Sequence, residues 1–328
     1  MRRLLLLALV VCLPLSAHAF EIKISTMYPD GTSAVKRLKE AGETIKEETD
    51  GRVTLRVYAG GVMGDDAAVE RRIRIGQLHG TLAQGGAFVK HNKDAQVLNL
   101  PLLFRSAEEV AHVRETLDPV LREGFKKNQW TVFGPIDGGF AYFMTKNPVS
   151  SVADLRKQKV WLPANDSGSA EAAKEFGISP VVLSISSVLT SLQTGVINAY
   201  AAPPIAALTL QWFSRVNHLT DLPMLYTYAW LGMSDRHLGR MSSEDRAVVE
   251  RVLTETVAAM DAKERENNKN ALEAVLSQGL EKVTPSEEEL AQWREYAERT
   301  NKTLLKEGHV SQEVYDQVME LLREYREE

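Results

Sequence analysis

The chain has a single cysteine among 328 residues, Cys12, and this argues at once against disulfide frameworks, zinc ribbons and Cys-x-x-Cys redox chemistry. It also lacks a surplus of positive charge, with 39 lysines and arginines against 44 aspartates and glutamates and a net charge of −5. Such a balance gives no surface for neutralising a phosphate backbone, so nucleic acid is not an expected partner. No apolar run approaches the ~18 residues of a membrane-spanning helix. Internal repeats and low-complexity tracts are absent, which removes solenoid architectures. The histidines, at 18, 79, 91, 112, 218, 237 and 309, never stand at His-x-x-x-His spacing, so neither a zinc site nor any other metal is expected.

What is present is ordinary globular material, 44% hydrophobic and 25% charged, long enough for two domains of about 150 residues each. Arg2 and Arg3 precede an apolar run from Leu4 to Leu15 and then Ala17-His18-Ala19, the pattern of a secretory signal peptide over residues 1–19. Val11 before Cys12 argues against a lipoprotein anchor. Without Arg2 and Arg3 the 39 basic residues become 37 against 44 acidic, a net charge of −7, and cysteine is absent. The expected product is an exported, mildly acidic periplasmic protein that depends on its core.

Periodicity gives the organisation. Ile22 and Ile24 alternate as a strand, and Ala34, Leu38, Ala41 and Ile45 form a helical stripe. Val53, Leu55 and Val57 alternate again, Val69 and Ile73 lie on a second helix, and a strand runs from Leu78 to Ala83. That β-α-β-α-β order describes a largely parallel sheet covered by helices. Ser106 with Glu109 reads as a capping box, and strands are expected at Val132-Phe133 and from Phe140 to Met144. After Pro148 a second α/β unit follows, with strands at 160–162, 181–183 and 199–201 and helices ending at Gly177 and Gly195.

Beyond Ser242 no proline or glycine occurs until Gly279. Some 35 residues at ~1.5 Å each make a rod of roughly 50 Å, longer than one domain with a radius of gyration near 15 Å can cover. Its ends carry Val248, Val249, Val252, Val257 and Met260, then Leu272, Val275 and Leu276, while Asp261 to Asn270 is a polar waist. This suggests a helix over 242–278 bridging two bodies; the alternative is a surface helix broken in the middle. Two further helices, Ser286 to Lys306 and Ser311 to Tyr325, complete the chain.

Catalytic patterns are wanting. Ser167-Gly168-Ser169 lacks the Gly-x-Ser-x-Gly surroundings of a nucleophile elbow and reads as a helix start. Gly60-Gly61-Val62-Met63-Gly64 has neither a P-loop lysine nor a dinucleotide fingerprint. Asp65-Asp66 and Asp137 lack the spaced oxygens of a calcium loop. No cofactor is implied and no enzymatic activity is expected.

Five segments in order resemble the solute-binding proteins of TRAP transporters. They are Gly51-Arg52-Val53, Ile73 to Gly80, Leu98-Asn99-Leu100-Pro101-Leu102-Leu103-Phe104, Asn147-Pro148-Val149 with Ala153-Asp154-Leu155, and Leu192-Gln193-Thr194-Gly195-Val196. The resemblance implies a two-lobed α/β periplasmic-binding architecture, type II-like, with a long helix bridging the lobes. Lobe I would comprise 20–138 and about 228–267, and lobe II about 139–227 and 268–328. A small molecule would bind in the cleft and pass to the membrane subunits of a TRAP permease, the receptor itself being a monomer. A periplasmic sensor module, or an enzyme on the same lobes, is the alternative.

The resemblance also carries a departure. The family usually places an arginine just before an apolar residue and proline on the strand after the Asp-Leu segment, where it pairs with a substrate carboxylate; here Lys159-Val160-Trp161-Leu162-Pro163 puts Trp161 in that place. In Asn198-Ala199-Tyr200-Ala201-Ala202-Pro203, alanines replace the family's acid and asparagine. Strand ends facing the cleft make Met27, Tyr28, Gln84, Gly85, Phe140 and Tyr142 candidate binding residues in one lobe and on the crossover. Trp161, Asn165, Asp166, Ser184, Asn198, Tyr200 and Trp212 are the candidates in the other; for the aromatics, core packing is the competing explanation. The expected ligand is neutral, aromatic or bulky and apolar, with a cation over Trp161 as one form of it. The competing view keeps a carboxylate ligand and draws its counter-charge from Lys36, Lys159 or Arg236.

Overall fold

In the computed structural model, which describes residues 19–164 and 167–327, ten strands follow the alternations of the sequence closely in the N-terminal half. They are β1 (Phe20–Thr26), β2 (Val53–Tyr58), β3 (Gly80–Gln84), β4 (Trp130–Thr145), β5 (Trp161–Pro163), β6 (Val181–Leu183), β7 (Ala199–Ala202), β8 (His218–Thr220), β9 (Leu225–Ser234) and β10 (Glu281–Val283). Residues 1–18 of the expected signal peptide lie outside the described residues. Ile22 and Ile24 are fully buried on β1, which pairs in parallel with β2 and β3. The helix Ser33–Glu48 buries Val35, Leu38, Ala41 and Ile45 from one stripe, as its spacing requires.

The two short strands expected around 132 and 140 are one strand of 16 residues, β4. Its pairing with antiparallel β9 slips between Phe133 and Ile136 and again between Asp137 and Gly139. Each bulge resets the two-residue period, and so a continuous strand reads as two. Residues before Tyr142 pair with β9, and those from Tyr142 onward pair with β7 and β8. The sheet order is β10-β8-β4-β9-β3-β1-β2, with β7 also on β4 and a separate parallel pair β5-β6 tied to β7 through a Val160–Ala199 bridge. β4 therefore serves two sheet regions. The sequence reading has no counterpart for β8, β9 and β10; β9 is buried along both faces and shows no alternation.

The helix Ser243–Ser277 is continuous over 35 residues, and the broken alternative fails. Ser242 caps it by accepting the Asp245 N–H at 3.1 Å. Val249, Val252, Leu253, Val257 and Met260 enter the core under β1 and β2, and Val275 enters a second core with Leu219, Trp212 and Leu280. At about 1.5–3 kcal/mol per buried side chain, both ends are anchored by packing. The helix Glu287–Lys306 begins with the expected box, Ser286 accepting the Glu289 N–H at 3.3 Å and Glu289 accepting the Ser286 N–H at 2.7 Å. The last helix, Gln312–Glu327, buries Val314, Val318 and Leu322 with Val113 and Leu117 of the helix Ala107–Lys127. It therefore packs in a third core, shared with the helix Ala107–Lys127 and with Val69, Ile73 and Trp130, against the expected placement of 268–328 in the second lobe.

Candidate functional site

A cavity of about 620 Å³ opens where the carboxyl ends of β1, β3, β5 and β7 converge on the β4–β9 crossover and the waist of the long helix. Met27, Tyr28, Gln84 and Gly85 border it after β1 and β3; Ile136, Asp137, Ala141 and Phe143 border it from β4. Trp161, Leu162, Pro163, Ile185, Pro203 and Trp212 supply the opposite wall, and Met260, Glu264 and Asn267 come from the long helix. Placement beyond strand carboxyl ends follows from parallel pairing, which directs those ends to one edge.

The structure thus brings Met27, Tyr28, Gln84, Gly85, Trp161 and Trp212 to one cavity. Five other candidates lie outside its lining, each for a local reason. Phe140 packs edge-on against Tyr226 at 5.8 Å, because the slip at Gly139 turns it to the core shared with the helix Ala107–Lys127. Tyr142 packs on the second core. The Ser184 hydroxyl is bonded to those of Ser186 and Ser187, both at 3.0 Å. Asn198 Oδ1 accepts the Lys159 N–H at 2.7 Å, a structural role at the start of β7. Tyr200 is fully buried, its hydroxyl 3.3 Å from Met144 Sδ. Asn165 and Asp166 lie outside the described residues.

Trp161 is both core and wall. Its indole N–H donates to the Leu183 carbonyl at 3.0 Å across the β5–β6 pair, and its ring meets Trp212 edge-on at 5.2 Å. The N–H is thereby satisfied, leaving ring surface for the cavity. Tyr28 accepts from Gln84 Nε2 at 3.1 Å. Burial, then the nearby Glu264 carboxylate, push the Tyr28 hydroxyl up to about 12 against the opposing Gln84 bond. Burial likewise raises Glu264; the Asn267 amide at 3.4 Å is the main opposing influence, Asp137 adds to the rise, and the net shift is upward. No lysine, arginine or histidine borders the cavity among the described residues.

Below the cavity a polar knot fixes the crossover. Arg114, only 4% exposed, donates to Asp261 at 3.0 and 3.2 Å, to Asp118 at 3.2 Å and to the Pro135 carbonyl at 2.7 Å. Burial works against that guanidinium, but Tyr226, Asp118 and Asp261 outweigh it and keep it charged. Asp261 also accepts the Asp137 N–H at 2.7 Å, and Asn268 donates to Asp137 Oδ1 at 2.7 Å. The long helix is therefore stitched to β4 at the point where β4 passes from one sheet region to the other.

The family model described as bacterial extracellular solute-binding protein, family 7, matches residues 24–307. The chain belongs to that family. It is 23% identical over 298 residues to the C4-dicarboxylate-binding periplasmic protein DctP of Rhodobacter capsulatus, covering 88% of this chain and 87% of that one. It is 22% identical over 256 residues to the sialic acid-binding periplasmic protein SiaP of Vibrio cholerae, covering 74% and 78%. A TRAP periplasmic solute-binding protein of Shewanella oneidensis, solved with bound succinate, superposes with a TM-score of 0.83 at 19% identity, covering 93% and 99%. The fold is the two-lobed one of these TRAP receptors, and this family 7 protein is an extracytoplasmic solute receptor of the TRAP type. No helix among the described residues is long and apolar enough to cross a membrane.

Sequence reading of this family 7 receptor missed Tyr228, Glu264 and Asn267 at the cavity. A signal for the helix residues existed: Met260, Glu264 and Asn267 stand at i, i+4 and i+7, one face of the polar waist. Tyr228 gave none, since β9 has no alternation to orient it.

Proposed function

We propose that this receptor captures a small organic molecule that is not a simple dicarboxylate and hands it to the membrane subunits of a TRAP permease without transforming it. The carrying observation is the cavity wall. A buried carboxylate without a counter-charge costs several kcal/mol, and no cation lines the cavity among the described residues. The alternatives weighed from the sequence turn elsewhere: the Lys159 ammonium meets the Gly195 carbonyl at 3.3 Å, Arg236 meets the Arg74 carbonyl at 3.5 Å, and Lys36 is an exposed residue of the helix Ser33–Glu48. The named relatives are C4-dicarboxylate-, sialic acid- and succinate-binding proteins; on the reading proposed here this chain shares their fold and takes a different ligand.

Closure is a shift between open and closed states, driven by contacts a ligand makes with both walls at once. The moving bodies are 20–138 with about 228–267, and about 139–227 with 268–328 less the last helix, Gln312–Glu327. Export by residues 1–19 places a monomeric receptor in the periplasm. Thermal shift with succinate tests the reading: wild type should be unmoved at about 1 mM, and Trp161→Arg should gain a saturable shift. A wild type stabilised by succinate at that concentration defeats it.

A further inference from the structure

The two walls of the cavity differ in chemistry. From the β5–β7 side come Trp161, Leu162, Ile185 and Trp212, whose one indole N–H with a named partner, that of Trp161, is already engaged. From the β1–β3 side and the long helix come Tyr28, Gln84, Glu264 and Asn267. Three carboxylates reach the lining: Asp66, Asp137 and Glu264. Asp137 is already bonded to Asn268 and Tyr226, at 2.7 and 2.9 Å. Among the described residues the one hydrogen bond to the Glu264 side chain is that from Asn267 at 3.4 Å, with the charges of Lys263 and Arg37 acting on it from farther off. A half-buried carboxylate with so long a hydrogen bond, bordering a cavity that no cation lines among the described residues, is a charge that Arg37 and Lys263, outside that lining, leave open to compensation.

We infer that the ligand is an amphiphilic organic cation, its ammonium group seated between the Glu264 carboxylate and the Tyr28 ring and its apolar or aromatic body against Trp161, Trp212 and Ile185. This rests on the receptor reading above and names its cargo class. Glu264 compensates the ammonium charge, the electron-rich Tyr28 face adds cation–π attraction, and the indole wall removes apolar surface from water. A neutral ligand would leave Glu264 uncompensated, and an anion would meet repulsion.

Three probes sharing one ring system separate these cases: tryptamine, tryptophol and indole-3-acetate, titrated calorimetrically into the purified receptor. Tryptamine should bind at least about tenfold more tightly than tryptophol, and indole-3-acetate most weakly. Glu264→Gln should remove the preference for tryptamine over tryptophol, and Glu264→Asp should retain part of it. Equal affinity for tryptamine and tryptophol, or no tryptamine binding at about 1 mM, overturns the cation assignment and leaves the receptor reading intact. Preference for indole-3-acetate overturns the cation assignment and the argument that this cavity rejects carboxylates, while the capture of a small organic molecule stands. A Glu264→Gln variant that keeps the full preference overturns the role of Glu264.

Discussion

Arg114 is where a single change should have the largest effect away from the cavity. Replacing it with methionine keeps most of the side-chain volume but removes the donor to two carboxylates and one carbonyl, in a position only 4% exposed. Breaking a buried ion pair by deleting one partner typically costs about 3–5 kcal/mol. Asp261 would still hold Arg265 at 2.9 Å and the Asp137 N–H at 2.7 Å, which favours the lower end. At roughly 2 °C per kcal/mol for a chain of this size, the melting temperature should fall by about 6–8 °C. Differential scanning calorimetry of Arg114→Met, Asp261→Asn and the double variant measures it. The double variant should be more stable than the sum of the singles implies, with a coupling of about 1–3 kcal/mol. A loss below about 1 kcal/mol for Arg114→Met, or strict additivity, would refute the view that this knot carries stability.

Three further outcomes are expected. Gly85→Ala places a Cβ 2.3 Å from the Tyr228 ring, whose hydroxyl is held by the Ala95 carbonyl at 2.6 Å, so the variant should lose about 1–3 kcal/mol in calorimetry and bind any cavity ligand less well. Arg52, 2.9 Å from Asp245, holds that carboxyl below its ordinary value, against a smaller effect of burial. The lowered folded value means that the stabilisation is complete above about pH 4 and is lost as pH falls through the folded pKa, so the gap in melting temperature between wild type and Asp245→Asn should close below pH 4. Glu264 faces Asp137 from β4, Tyr28 beyond β1, Arg37 from the first helix and Lys263 and Asn267 on its own helix; burial and Asp137 prevail and raise it. Tryptamine affinity, followed by titration, should therefore weaken as pH drops through that raised value while tryptophol stays flat.

How much was legible in the sequence follows the physics of each element. Ile22 and Ile24 alternate because one sheet face is crowded, and the stripe from Leu38 to Ile45 has helical spacing for the same reason, so both could be read directly. The long helix was legible from the distance between its breakers. β9 was not, because burial on both faces erases alternation, and the unity of β4 was not, because its slips lie within the strand. At the cavity, residues at or just beyond strand ends, Met27, Tyr28 and Gln84, were reached by the strand-end rule, whereas Phe140 lies off the lining because of a slip of register one position before it. Asn198 and Ser184 show the limit for polar residues: sequence gives their hydrogen-bonding capacity, but local backbone and hydroxyl partners consume it.

The slip in β4 constrains how such receptors diversify. A Cβ on Gly138 would lie 2.4 Å from Thr227 Oγ1, and Gly139 stands at φ +77° with the Asn268 side chain filling the space its own would need. Neither position can drift, whatever cargo the lineage adopts, while the indoles and carboxylates around them are free to change. Someone hunting distant functional cousins of this protein would do better to anchor on that glycine pair with its asparagine than on anything the cargo touches.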